Sequence, residues 1–376
     1  MTVDERPNSE LGSVANSQAV AGDRRGEKET VEAEADTEVD GVGGTTSSRQ
    51  NLKGLLSPRK IGAIYLWAAI IVLFGILKPD LFLTVDTLKA IGNSYSIAGL
   101  AALAVLLPLV TASFDVSVGA TMSLAGVVVG KLLLETSLPI TVVVLIGLGV
   151  GLLVGLANTI VVVVLRIPSL IGTLAVSGVV GAFAVGVSGN QTLAGPRLSA
   201  EFSQQLAQAK ILGFTRPVLF VLVLMVVLGL LLEQTQLGRY LYAVGFNANA
   251  AHLAGLRVAA LKCFSLMMGG MIGAFAGIVL VARLASATPA TGTPYLLPAF
   301  AAAFLGATQF RNLRFNAWGA VVAVFMLGTG QYGLLLLGAP SWTADVFQGL
   351  ALIFAVGLTH FGSRQSGIST ESAEIS

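Results

Sequence analysis

Charge is what this sequence has least of: 11% of its 376 residues are Asp, Glu, Lys or Arg, while 55% are hydrophobic. A water-soluble domain of that length needs a polar exterior, so these proportions exclude one. Cysteine is represented once, by Cys263, which excludes an intrachain disulfide and a cysteine-rich metal site. With only His252 and His360, a histidine metal cluster is not expected. The stretch G-x-x-x-x-G-K-[ST] does not occur, so the usual loop for ATP phosphates is missing. Paired carboxylates and a nucleophile beside a base are missing as well, and the chain reads as a non-enzyme.

Apolar runs dominate what remains, with a mean hydropathy of +0.83. From Ile91 to Ser188 the only charged side chains are Asp115, Lys131, Glu135 and Arg166. Runs of about 20 apolar residues are long enough to cross a hydrocarbon core about 30 Å thick. The runs predict an all-α polytopic membrane protein with about ten transmembrane helices. They lie near 61–78, 88–111, 117–135, 138–165, 168–188, 217–232, 262–283, 295–309, 315–336 and 343–361. The run 138–165 exceeds what one perpendicular helix needs, which predicts tilt or a kink. Pro108, Pro168, Pro289 and Pro298 mark turns or broken helices.

Three regions follow: an acidic tail at 1–57, a membrane domain at 58–362 and a short tail at 363–376. The first holds eleven of the twenty acidic residues and too little apolar surface to offset its ordering entropy, so it is expected to be disordered. It has no apolar h-region and the wrong charge for a secretory signal. Lys53, Arg59 and Lys60 precede the first span and place that end in the cytoplasm, and an even number of spans returns the C-terminus there. Arg166, Arg239, Arg257, Lys262, Arg311, Arg314 and Arg364 then fall on the cytoplasmic side.

Gly147, Gly151 and Gly155 repeat every four residues, as do Gly269, Gly273 and Gly277, and each series makes a groove for another helix. An apolar stretch, a polar break and a second apolar stretch occur at 97–130 and again at 295–328. Spans 2–5 and 7–10 would have opposite orientations, as in two inverted repeats.

The segment 235–258 interrupts the apolar chain with amphipathic and small-residue sequence, longer than a passive connector needs. Within it, Ala248 to Leu256 reads as a short helix capped by Asn247 and stopped at Gly255. Such a helix either docks in a groove of another protein or lies on the membrane surface. The stretch from Leu237 to Val258 resembles the coupling loop of the ribose-type permeases of ATP-binding-cassette importers. Phe114-Asp-Val-Ser-Val-Gly119, Gly155-Leu-Ala-Asn158 and Arg166-Ile-Pro-Ser-Leu-Ile-Gly-Thr-Leu174 match that family too, in order and spacing. Val281-Ala-Arg-Leu-Ala-Ser-Ala287, Thr291-Gly-Thr293 and Tyr295 complete a resemblance that covers residues 60 to 361.

The resemblance implies a vitamin-B12-importer-like permease architecture in a bacterial plasma (inner) membrane. It implies a homodimer or paired permease, a cytoplasmic ATPase subunit that carries ATP and Mg, and an extracytoplasmic binding protein that delivers a monosaccharide such as ribose. The chain itself would bind no cofactor, metal or nucleic acid. Its ATPase-coupling residues would be Gly238, Arg239, Tyr240, Gly245, Asn247, Ala250, Ala251 and Gly255. Three places depart from the family pattern: Ser113 and Thr159 stand where glycine is common, and Leu305 to Arg314 lacks the usual glycine-rich break.

Asp115 is the only acidic residue between Asp86 and Glu135. A carboxylate at membrane depth is costly, so it either gates a pathway or caps the helix that starts near Ser117 at the water interface. Asn93, Asn158, Thr173 and Gln331 are polar groups within apolar runs, which hydrogen-bond between helices or line a polar pathway together with Ser117. The competing functions are a permease for nucleosides or another small polar metabolite, and an ion-coupled secondary transporter, for which Asp115 is the sole intramembrane carboxylate on offer.

Overall fold

Several helices in this chain begin where a short polar side chain takes up a free N–H group. The computed structural model describes residues 62–309 and 314–365, with side chains over 65–309 and 314–357. Thr84 Oγ1 accepts from Thr87 N–H at 3.2 Å, Thr235 Oγ1 from Gly238 N–H at 3.1 Å, and Asn316 Oδ1 from Gly319 N–H at 2.6 Å. The resulting helices are α1 (Gly62–Leu77), α2 (Val85–Val110), α3 (Val118–Glu135), α4 (Ile140–Thr159), α5 (Ser169–Ser188) and α6 (Arg216–Gln234). There follow α7 (Gln236–Phe246), α8 (Ala248–Leu253), α9 (Val258–Leu284), α10 (Leu296–Ala307), α11 (Ala317–Leu336) and α12 (Trp342–Gln365). Seven are long and apolar enough to cross a membrane: α2, α3, α4 with its continuation to Val164, α5, α6, α9 and α11. Shorter apolar helices lie at Tyr65–Leu77, Thr293–Ala307 and Trp342–Gly357.

The long run at 138–165 resolves into α4 and a π-helical turn, Ile160–Val164, an irregularity of the kind at which helices bend. Pro168 directly precedes α5 and Pro289 lies in a turn. Pro108 and Pro298 instead sit inside helix ends, in the last turn of α2 and the first turn of α10. In a first turn the missing N–H of proline had no intrahelical partner to lose. Residues 189–215 form two π-helical turns, Arg197–Phe202 and Gln204–Gln208, and a small hairpin, Lys210–Ile211 with Phe214–Thr215. The readings of 1–57 and of 366–376 lie outside the described residues, as do Arg311 and the basic group Lys53, Arg59 and Lys60.

In lipid, apolar side chains gain little by turning inward, so close backbone contact holds the helices together. α2, α3 and α9 form the centre, with α9 packed along α4, α2 and α3. α2 also packs on α10, α11 and α6, while α3 packs on α5 and α10 on α12. A Cβ at Gly151 would lie 2.4 Å from the Gly270 carbonyl oxygen, and one at Gly155 2.5 Å from Met267 Cα. The groove on α4 therefore receives α9. The second glycine series faces elsewhere: Gly269 meets Pro108 and the Ala104 carbonyl of α2, and Gly277 meets the Met122 carbonyl of α3. The outward faces of α4, α5 and α6 carry Leu145, Leu153, Ile171, Phe183 and Val223, an apolar surface suited to acyl chains.

Gly149 shares a helix with Gly151 but has nothing within 4 Å of where its Cβ would be. We expect Gly151→Val to lower the melting temperature of the detergent-purified protein by several degrees, and Gly149→Val to leave it within error. Equal melting of the two variants would contradict the backbone contact.

Candidate functional site

Between α2 and α3 the chain breaks at Thr111–Ser117, and that break gathers most of the polar residues singled out in the sequence. Ala112 takes a left-handed conformation, φ 53°, which lets the backbone leave α2 sharply. Beyond it, Asp115 Oδ1 accepts from Ser117 N–H at 2.9 Å, Ser117 Oγ–H at 2.6 Å and Asn158 Nδ2 at 3.1 Å. Asn158 Nδ2 also donates to Ser117 Oγ at 2.8 Å. Asp115 is 1% exposed, and its second oxygen, Oδ2, has no hydrogen-bond partner among the described residues.

The carboxylate is thus not a cap at a water interface. It is buried just ahead of α3, in a turn closed by its own i+2 N–H group, and it ties the break to the end of α4. α5 holds the same break from its start. Ser169 Oγ accepts from Phe114 N–H, Thr173 Oγ1 accepts from Val116 N–H, and Thr173 Oγ1–H donates to the Phe114 carbonyl, each at 3.0 Å. Asp115, Ser117, Asn158 and Thr173 therefore form one cluster. Asn93 is elsewhere: its Oδ1 accepts from Thr215 N–H at 2.9 Å and ties α2 to the hairpin. Gln331 is also apart, donating to Gln348 Oε1 at 3.0 Å across α11 and α12.

The segment 235–258 forms two helices that pivot at Asn247. Its side chain caps α8, accepting from Ala250 N–H at 2.9 Å, and Gly255 ends the segment in the left-handed conformation, φ 84°. The residues singled out here divide by face. Gly238 and Ala251 are buried, and Gly238 leaves no room for a Cβ against the Leu232 carbonyl. Arg239, Tyr240, Asn247, Ala250 and Gly255 are exposed. Gly245 lies against α2, where a Cβ would come within 1.9 Å of the Val110 carbonyl oxygen. Two apolar side chains point away from the bundle, Phe246 at 70% exposure and Leu253 at 88%.

Sequence reasoning missed Tyr242, whose hydroxyl donates to the Phe315 carbonyl at 2.6 Å. Arg314 lies over its ring, 5.8 Å from the centroid. Phe315 packs edge-on against Phe304 at 5.4 Å, and Phe304 stacks on Phe114 at 6.3 Å. A closed circuit of contacts therefore runs from α7 through Phe315, Phe304 and Phe114 to the Asp115 break, and back through Val110 to Gly245. The only signal in the sequence for Tyr242 was its place in an amphipathic stretch.

A family described as branched-chain amino acid transport system, permease component, matches residues 88–356. The chain is 32% identical over 308 residues to the fructose import permease protein FrcC of Rhizobium meliloti, covering 80% of this chain and 85% of that protein. It is 30% identical to the ribose import permease protein RbsC of Escherichia coli, over 77% and 90% of the two chains. To the D-allose transport system permease protein AlsC of Escherichia coli it is 29% identical, over 81% and 93%. No solved structure matches the chain.

Asp115→Leu would leave the Ser117 N–H and Oγ–H donors buried without their acceptor, while Asn158 keeps its bond to Ser117 Oγ. We expect it to cost about 3 kcal/mol of stability, at about 1–3 kcal/mol for each unsatisfied group. Asp115→Asn keeps one acceptor oxygen, and its cost should stay below about 1.5 kcal/mol. Unfolding in detergent measures both, and equal losses would show that the charge, not the hydrogen bonding, matters.

Proposed function

We propose, on the premise that this chain belongs to the permease-component family that includes the ribose and fructose import permeases, that it is the membrane subunit of an ATP-driven monosaccharide importer. The premise rests on the match across residues 88–356 and on relatives that align over most of their length. A sugar rather than an amino acid is the cargo we infer, because the relatives compared above carry sugars in their names.

Energy comes from a separate ATPase subunit docked on α7 and α8, and an extracytoplasmic binding protein supplies the sugar. The observation that carries this reading is the position of α7. It is wedged against both the Val110 end of α2 and the start of α11, while Phe246 and Leu253 remain free for a partner. A displacement of α7 would act at once on the Asp115 break and, through Phe315, on α10 and α11. Alternating access requires such a two-state element, biased by ligands that bind its states unequally. Asp115, Ser117, Asn158 and Thr173 serve in this reading as the lock of the break rather than as contacts for sugar.

Ten spans are proposed by adding α1, α10 and α12 to the seven longer helices, with both termini in the cytoplasm and two permease copies per transporter. Helix packing supports two inverted repeats, α2–α5 and α9–α12. Exchanging the halves maps α9 on α4 onto α2 on α11, α3 on α5 onto α10 on α12, and α3 on α4 onto α10 on α11.

The test is reconstitution in lipid vesicles with the partner ATPase and binding protein, measuring uptake of radiolabelled D-ribose, D-fructose and D-allose. ATP-dependent uptake of at least one is the expected result. Uptake without the ATPase, driven by a proton or sodium gradient, would overturn the proposal.

A further inference from the structure

Ala285 leaves α9 in the left-handed conformation, φ 54°, just as Ala112 leaves the end of α2 at φ 53°. The exchange of halves that maps α2–α5 onto α9–α12 puts these two alanines at the same point. The segment from Ala285 to Tyr295 is therefore the counterpart of the Asp115 break, on the opposite side of the bundle.

Neighbouring contacts fix its depth. Gly273, near the middle of α9, faces Val118 at the start of α3, with 3.4 Å between its Cβ position and Val118 Cγ1. A Cβ at Gly292 would lie 2.3 Å from the Gly119 carbonyl oxygen, so Gly292 reaches the same level. From the end of α9 back to that level is about 16 Å at 1.5 Å per residue. The chain thus returns without an α-helix through about half of a 30 Å hydrocarbon core. α10, with 12 residues, is long enough only for the other half. Ala290, Thr293 and Pro294 are exposed on this segment, as Ala112 and Phe114 are on the first break. Irregular backbone at membrane depth is tolerated inside protein or along a water-filled cavity, not against lipid.

Two neighbours hold the segment in place. Gly292 N–H donates to Ser123 Oγ of α3 at 2.9 Å, a buried contact. Leu193 and Ala287 exchange both backbone bonds, at 2.8 and 2.9 Å. Leu193 lies just beyond the end of α5, whose first residues bond the Asp115 break through Ser169 and Thr173. One helix therefore touches both interruptions, one from each end. Gly178, Gly181 and Gly186 of α5 have nothing within 4 Å of a Cβ, so α5 is not gripped along these positions as α9 is.

We propose that Ala285–Tyr295 is the extracytoplasmic gate of the transport cycle, and that α5 keeps it in step with the Asp115 break. The inference rests on the importer reading, which places α8 and the start of α9 on the cytoplasmic side. Ser123 and the Leu193–Ala287 pair are its positioning contacts. Alternating access needs one gate on each side that are never open together, and a rod bonded to both supplies that exclusion.

Residues that exchange both backbone bonds have Cα atoms about 5.5 Å apart, within the span of a disulfide. Leu193→Cys with Ala287→Cys, in a Cys263→Ala background, can therefore lock the gate. In vesicles with the ATPase and binding protein, the oxidised pair should lose uptake of whichever of D-ribose, D-fructose and D-allose the wild type imports. Dithiothreitol should restore it, and each single cysteine should be insensitive to oxidant. Ser123→Ala should lower the sugar imported per ATP hydrolysed about fivefold, the loss of one neutral hydrogen bond. General structural damage would lower uptake and hydrolysis together and leave that ratio unchanged. A disulfide that forms without affecting uptake, a pair that does not cross-link, or an unchanged ratio would overturn the gate and leave the importer reading standing. Should the reduced pair itself fail to import, the ratio decides alone. If the wild type imports none of these sugars, the importer reading fails and the gate fails with it.

Discussion

The Gly270 carbonyl occupies the place where a side chain at Gly151 would have to be, and the rest of the fold is arranged around that contact. Helices in lipid are not driven together by water, so what holds α9 to its neighbours is close packing where side chains are missing. α9 repeats the device on three sides, with Gly270 toward α4, Gly269 toward α2 and Gly277 toward α3. A helix gripped on three sides cannot shift alone.

The break at Thr111–Ser117 is the interruption that matters most for function. It carries one buried carboxylate whose Oδ1 is fully engaged, and hydroxyl groups from α5 satisfy its backbone. That hydrogen bonding gives the break a defined shape, with Ala112 turning the backbone in the left-handed conformation. α7 bears directly on it through Gly245 and reaches the head of α11 through Tyr242. In the proposed importer, work done on α7 and α8 reaches two half-bundles at once without any chemistry on this chain.

Much of the fold was legible because lipid imposes a coarse rule. Apolar runs near 20 residues must be helices, and the boundaries read from them fall within a few residues of the observed ones, as for 117–135 against Val118–Glu135. The Asn247 cap and the Gly255 stop were legible for the same local reason, since each acts on its own neighbours in sequence. Partnerships were not. The Gly147 and Gly269 series look alike in sequence, yet one receives α9 and the other receives α2 and α3. Tyr242 and Gln348 escaped because their partners, Phe315 and Gln331, are fixed by tertiary packing. Asn93 was grouped with the pathway candidates because polar residues in apolar runs share one signature, whichever neighbour they bond.

The central claim is that the Asp115 break and the head of α11 respond together to what binds α7 and α8. Hydrogen–deuterium exchange of the reconstituted transporter tests it directly, comparing the ATPase partner with and without a non-hydrolysable ATP analogue. Protection at Val110–Ser117 and at Phe315–Asn316 is predicted to change in concert when the analogue binds. A change confined to α7 and α8, with both segments unaltered, would contradict the account.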